Sequence, residues 1–124
     1  MINKVIVVGN VGKEPEMRFT PNGNAVTSFS VATNESFTDS AGERQKRTEW
    51  FNVVTWNKLA ENCNHYIVKG SLVYVEGKLQ TRMWQDKEGA YHYRTELIAS
   101  TVRFLSRKEE SGEAPETEPE DIPF

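Results

Sequence analysis

Three tryptophans and a phenylalanine, Trp50, Trp56, Trp84 and Phe37, lie among the basic residues Arg44, Lys46, Arg47, Lys58, Lys69, Lys78, Arg82, Lys87 and Arg94. Aromatic rings give nucleobases a face to stack on, worth about 1–3 kcal/mol per base in single-strand binders as a class, while cations between them follow the phosphates. The chemistry these residues offer is sequence-tolerant holding of a single strand. Their plainer reading is as ordinary core residues. Catalysis has less to work with. A Ser, Thr or Cys nucleophile needs a base beside it, and the two histidines, His65 and His92, stand in no recognisable catalytic context. Glu35, Glu49, Glu61, Glu76, Asp86, Glu88 and Glu96 are scattered among Lys and Arg without the paired spacing of acid–base or two-metal chemistry. Gly9-Asn10-Val11-Gly12 lacks the lysine and spacing of a P-loop and reads as a strand-ending turn. One cysteine, Cys63, with two histidines makes neither an intrachain disulfide nor a zinc set. No enzyme, metal or cofactor is expected.

The elements that must position these residues are mostly strands. Ile2–Val8 is β-branched and apolar, and Pro21-Asn22-Gly23 supplies a turn before a second strand, Ala25–Thr33, with Phe37 in the loop beyond it. In a third strand, Thr48–Trp56, alternation puts Trp50, Asn52, Val54 and Trp56 on one face and Phe51, Val53 and Thr55 on the other. Both faces are apolar, so they cannot both be core in one small barrel, and the tryptophan face is left for a ligand groove or a subunit interface. Ser71–Thr81 and Tyr91–Leu105 are two further strands, with Asp86-Lys87-Glu88-Gly89 as a hairpin loop. Leu59, Cys63, Tyr66 and Ile67 recur at helical spacing between the third and fourth strands. Asn57 suits the N-cap, and Lys69 and Gly70 the C-terminal end. Cys63 then reads as a small core residue. Five strands with one helix after the third fit an all-β, five-stranded OB-fold barrel, while an SH3-like barrel or a small sandwich stays open.

Charge divides the chain. Of 124 residues, the first 108 hold all 15 Lys and Arg against 11 acidic residues, a net of +4, and the last 16 hold seven acidic residues and no basic one, a net of −7. A mildly basic body with an acidic arm points to nucleic acid for the body and to interactions for the arm. There is room for one domain, 1–107. Residues 108–124, rich in Glu and Pro, bury too little to offset ordering entropy and are expected to be disordered, with a mean reach of about 20–25 Å. The arm ends in Asp121-Ile122-Pro123-Phe124, where two apolar side chains beside a carboxylate suit peptide docking. The longest apolar runs, Val5–Val8 and Leu72–Val75, are too short to span a bilayer, and no signal-peptide pattern opens the chain. A cytoplasmic protein with no membrane partner is expected.

In order along the chain, Asn3-Lys4-Val5-Ile6-Val7-Val8-Gly9-Asn10-Val11-Gly12-Lys13-Glu14-Pro15-Glu16, Pro21-Asn22-Gly23, Thr48-Glu49-Trp50, Lys58-Leu59-Ala60-Glu61, Lys69-Gly70-Ser71, Val75-Glu76-Gly77, Thr81-Arg82-Met83-Trp84 and the Asp-Ile-Pro-Phe end resemble the signature stretches of the bacterial single-stranded DNA-binding protein family. The resemblance covers roughly residues 1–106 and the last few. It implies an OB fold assembled as a homotetramer, associated with the nucleoid, that wraps single-stranded DNA and recruits replication, recombination and repair proteins through its C-terminal tip. Position by position it makes Trp50 and Trp84 base-stacking residues, puts Phe37 where the family often has Trp and Trp56 where it has a stacking Phe, and makes Arg18, Lys58, Lys69, Arg82 and Lys4 phosphate contacts. Asp121, Ile122, Pro123 and Phe124 become the docking tip, and Phe51 a tetramer contact or a core residue. The arm is shorter than the family's usual linker. Two rivals are an OB-fold interaction scaffold of the primosomal type, with the tryptophan face as a protein surface, and an RNA binder of the cold-shock type.

Overall fold

In a computed structural model, which describes residues 1–106, the β-branched and aromatic runs pair into one closed sheet. The elements are β1 (Val5–Val11), β2 (Glu16–Phe19), β3 (Ala25–Thr38), β4 (Arg44–Trp56), α1 (Asn57–Tyr66), β5 (Leu72–Gln85) and β6 (Tyr91–Ser106). Strand order β1-β5-β6-β4-β3, closed by pairing of Asn10 with Ala32 and Val11 with Val31, makes a five-stranded barrel, and β2 is a short addition on β3. The helix lies between β4 and β5, the third and fourth strands of the closed barrel. This architecture is consistent with the OB fold. The acidic arm expected from residue 108, with its Asp121–Phe124 tip, lies outside the described residues. Among the described residues no helix is long and apolar enough to cross a membrane.

The core is the inside of the barrel. Val7, Val11, Phe29, Val31, Val53, Val73, Val75 and Leu97 fill it, and Cys63 and Ile67 close one end. The helix is tied there by buried hydroxyls: Thr55 Oγ1 donates to the Thr27 carbonyl (2.8 Å) and Thr27 Oγ1 to the Ala60 carbonyl (2.7 Å). Each bond pairs polar groups that burial would otherwise leave unsatisfied.

Several local expectations need correction. The stretch at Gly9 does not end β1, which runs on to Val11. Gly9 stands at the barrel seam, where a Cβ would strike the Ala32 carbonyl, so the glycine permits close strand approach rather than a turn. Asn57 is not the N-cap. Trp56 holds that position without a side-chain cap bond, and Asn57 takes a positive φ of 55° that asparagine tolerates. The helix ends at Tyr66, with the Ile67 N–H on the Cys63 carbonyl, so Lys69 and Gly70 belong to the following turn. Tyr66 faces outward, and Ala60 takes a buried place that helical spacing alone did not mark. Finally, β3, β4 and β5 extend beyond their expected ends into two long hairpin arms.

Candidate nucleic-acid interface

Cross-strand register decides which side chains share a face, because paired residues point to the same side of a sheet. Along β4, Val53 and Thr55 are fully buried and Phe51 packs partly buried against the core, whereas Trp50 and Trp56 are 57% and 42% exposed on the outer face. Trp56 pairs with Val26 and Val26 with Arg18, so Arg18, Val26 and Trp56 form one row across three strands. Val54 pairs with Ile98 of β6, which carries the outer face on to Glu96, Arg94 and His92, and from these to Arg82 and Trp84 on β5. Trp50, Trp56, Trp84, Arg18 and Arg82 therefore stand on one continuous outer surface.

On this surface is a concavity of about 480 Å³, lined by Ser28, Asn52, Val54 and Trp56, by the cations Lys13, Arg18, Arg82 and Arg94, and by the carboxylates Glu14, Glu16 and Glu96. Glu96 joins two of the arginines. Its side chain is only 11% exposed, and Oε2 lies 3.3 Å from Arg82 Nε and 3.9 Å from Arg94 Nε. Two guanidiniums on one carboxylate leave a net positive charge, Arg82 held by a hydrogen bond and Arg94 by charge attraction alone. Arg82 also lies over the Trp84 ring, 4.9 Å from its centroid, in a cation–π contact.

Trp50 is seated by small residues. It pairs with Ala32, and a Cβ on Gly12 would collide with the edge of its indole. The glycine thus lets the ring lie close against the β1–β2 connection, whose Gly12 N–H donates to the Ser30 carbonyl at 2.9 Å.

The remaining expected site residues are placed differently. Phe37 is not in a loop. It lies within β3 and pairs with Gln45, on the ladder face opposite Trp50, with Arg47 over its ring at 4.7 Å. Lys58 is exposed in the first turn of α1, two residues beyond Trp56. Lys69 follows α1, and its backbone N–H donates to Glu14 Oε2 at 3.3 Å, beside the concavity. Lys4 lines a different hollow with Glu76 and Lys78, and its ammonium is 3.0 Å from Glu76 Oε2. That hydrogen-bonded pair raises the Lys4 pKa and lowers that of Glu76, so both stay charged.

Lys13, Glu96 and Gly12 join the candidate site without having been given a role there by the sequence pattern, and Arg94, named only among the interleaved basic residues, takes a specific place in it. Pairing outward from the Asp86–Gly89 turn would have set Arg94 opposite Arg82 and Glu96 beside both. Gly12 carried no signal, because its role depends on which ring folds onto it.

The model of the single-strand binding protein family matches residues 2–105. The chain is 46% identical over 112 residues to "Single-stranded DNA-binding protein 1" of Chlorobaculum tepidum, covering 90% of this chain and 69% of that one. It is likewise 46% identical over 115 residues to "Single-stranded DNA-binding protein" of Neisseria meningitidis serogroup A, covering 92% of this chain and 66% of that one. The chain thus spans about two thirds of the length of these relatives. Among solved structures, "Plasmodium falciparum SSB complex with ssDNA" superposes with a TM-score of 0.79 at 33% identity, over 86% of this chain and 96% of that one. A family match across nearly all the described residues, and relatives this similar over nine tenths of the sequence, agree with the barrel: the chain belongs to the single-strand binding protein family.

Proposed function

We propose that this protein binds single-stranded DNA without regard to sequence and without catalysing a reaction. The observation that carries the reading is the common outer face, where exposed Trp50, Trp56 and Trp84 share one surface with Arg18, Arg82 and Arg94, the three arginines and Trp56 lining its concavity. Bases stack on the three indoles while the guanidiniums, with Lys13, Lys58 and Lys69, neutralise phosphates. Relatives named for binding single-stranded DNA, and a similar fold solved with that ligand, support it. Phe37, on the other face of the β3–β4 arm, serves a strand that wraps round the hairpin edge. Lys4 takes part only by giving up Glu76.

The wider reading is that the protein works as a cytoplasmic, nucleoid-associated homotetramer in replication, recombination and repair. The partly buried ring of Phe51 contributes to a subunit contact, and Asp121, Ile122, Pro123 and Phe124 dock partner enzymes. Support comes from the family and from the acidic arm's apolar end. The core reading is tested by a folded Trp50→Ala/Trp84→Ala double variant, which should bind oligo(dT) more weakly by about 1–3 kcal/mol per lost stack, the range general to single-strand binders. Undiminished affinity would remove the indoles from the site and favour a protein-interaction surface.

A further inference from the structure

Trp84 differs from the other two indoles in what holds it. Trp50 leans on Gly12 and Trp56 lines the barrel's own concavity, but Trp84 stands on an arm where every residue from Gln80 to Gln85 is exposed, and from its own strand only the half-exposed guanidinium of Arg82 lies over its ring. A two-stranded ribbon is weakly ordered by itself, and freezing a mobile ring at the moment of binding costs affinity.

The tip of this arm is built around Asp86. Its Oδ1 accepts the N–H groups of Glu88 and Ala90, each at 2.9 Å, while Gly89 supplies the left-handed residue of the turn at φ 87°. Its Oδ2 takes the Nε2–H of His92 at 2.8 Å. His92 is the direct cross-strand partner of Trp84, and the two rings stack with centroids 5.5 Å apart at 22°. The imidazole is thus tethered on one side to a carboxylate that the turn's backbone fixes, and laid on the other against the indole. Trp84 itself remains 39% exposed, so the imidazole supports the ring without enclosing it.

We propose that His92 is a positioning residue for single-strand binding: stacked on Trp84 and tethered by Asp86, it holds the indole in the orientation that receives a nucleobase. This rests on the single-stranded DNA reading above and adds to it a residue that orders one platform before the ligand arrives.

The test uses a full-length parent carrying Trp50→Phe and Trp56→Phe, in which Trp84 is the sole tryptophan. His92→Gln keeps a hydrogen bond for Asp86 but has no ring; His92→Phe keeps a ring; His92→Ala is a second ring-less variant. Time-resolved anisotropy of Trp84 in the free protein and oligo(dT) affinity are measured for each. Removing the ring should speed local indole motion and weaken binding about two- to tenfold, the equivalent of one aromatic pair, and His92→Phe should restore both. Ring-less variants with parental anisotropy and affinity, alongside a Trp84→Ala control that binds more weakly, would overturn the role of His92 and leave the DNA reading standing. Failure of His92→Phe to restore either property would also overturn it. A folded Trp84→Ala with undiminished affinity would remove Trp84 as a platform, and the proposal with it.

Discussion

Replacing Gly12 with alanine separates the presentation of Trp50 from the integrity of the barrel. The added Cβ would lie 2.9 Å from Trp50 Cη2 and 2.9 Å from Ser30 Oγ, and nearer still to Cζ3. Carbon atoms settle at about 3.5–4.0 Å, so the indole edge must withdraw by about 1 Å. It has room to do so, because Trp50 is 57% exposed, and Gly12 is not among the residues of positive φ, so alanine imposes no backbone strain. Unfolding free energy should therefore change by less than about 1 kcal/mol, the unfolded-state gain of Gly→Ala offsetting part of the lost contact. Binding should suffer more. Complete loss of the stack in Trp50→Ala sets a ceiling of about 1–3 kcal/mol, the range general to single-strand binders, and a displaced ring should forfeit part of that, about three- to tenfold in affinity. The assay pairs an oligo(dT) titration at fixed salt with a urea melt. Wild-type affinity and emission in Gly12→Ala would refute the seat. So would a loss of affinity matched by an equal loss of stability, which would trace the effect to the fold.

Salt dependence reports the phosphate contacts: Arg18→Gln should flatten the slope of log affinity against log salt by about 0.7 per lost contact, and Lys4→Gln, whose ammonium already serves Glu76, should change it less. Thr55→Val leaves the Thr27 carbonyl without its hydroxyl partner and should destabilise the protein by about 1–2 kcal/mol in a urea melt. Burial pushes the Cys63 thiol up to about 11, so iodoacetamide at pH 8 should modify it only after unfolding. The two hairpin tips are built alike, and the carboxyl groups of Asp39 and Asp86 are held below their ordinary value of 3.8, chiefly by the Glu43 N–H and by His92 respectively. A lowered folded-state pKa makes their contribution complete above that value and lost as pH falls through and below it. Urea midpoints measured below about pH 4 should thus decline less steeply in Asp39→Asn and Asp86→Asn than in the wild type.

Much of the fold was legible because β-branched runs, turn residues and a single helical stretch agree on one architecture. The two-sided apolar character of Thr48–Trp56 was the most informative feature of the site, since it forced one face outward, and Trp50 and Trp56 are indeed the exposed pair. What was not legible depends on tertiary register. Gly9 looks like a strand terminator until β1 is seen crossing β3, and Phe37 looks like a loop residue until the β3–β4 ladder is followed out to Thr38. The short strand β2 lacks a β-branched run, yet its pairing brings Arg18 into line with Trp56. The Glu96 clamp on Arg82 and Arg94 is likewise invisible to composition, because it requires the β5–β6 register.

Tryptophan fluorescence during titration with oligo(dT), with duplex DNA of equal length as control, reads single-strand binding at the indoles themselves, because the proposed platforms are the reporters. Stacking on the indoles should give deep quenching that saturates with the single strand alone and weakens as salt rises. Emission that is unchanged by oligo(dT), or quenched equally by the duplex, would contradict it.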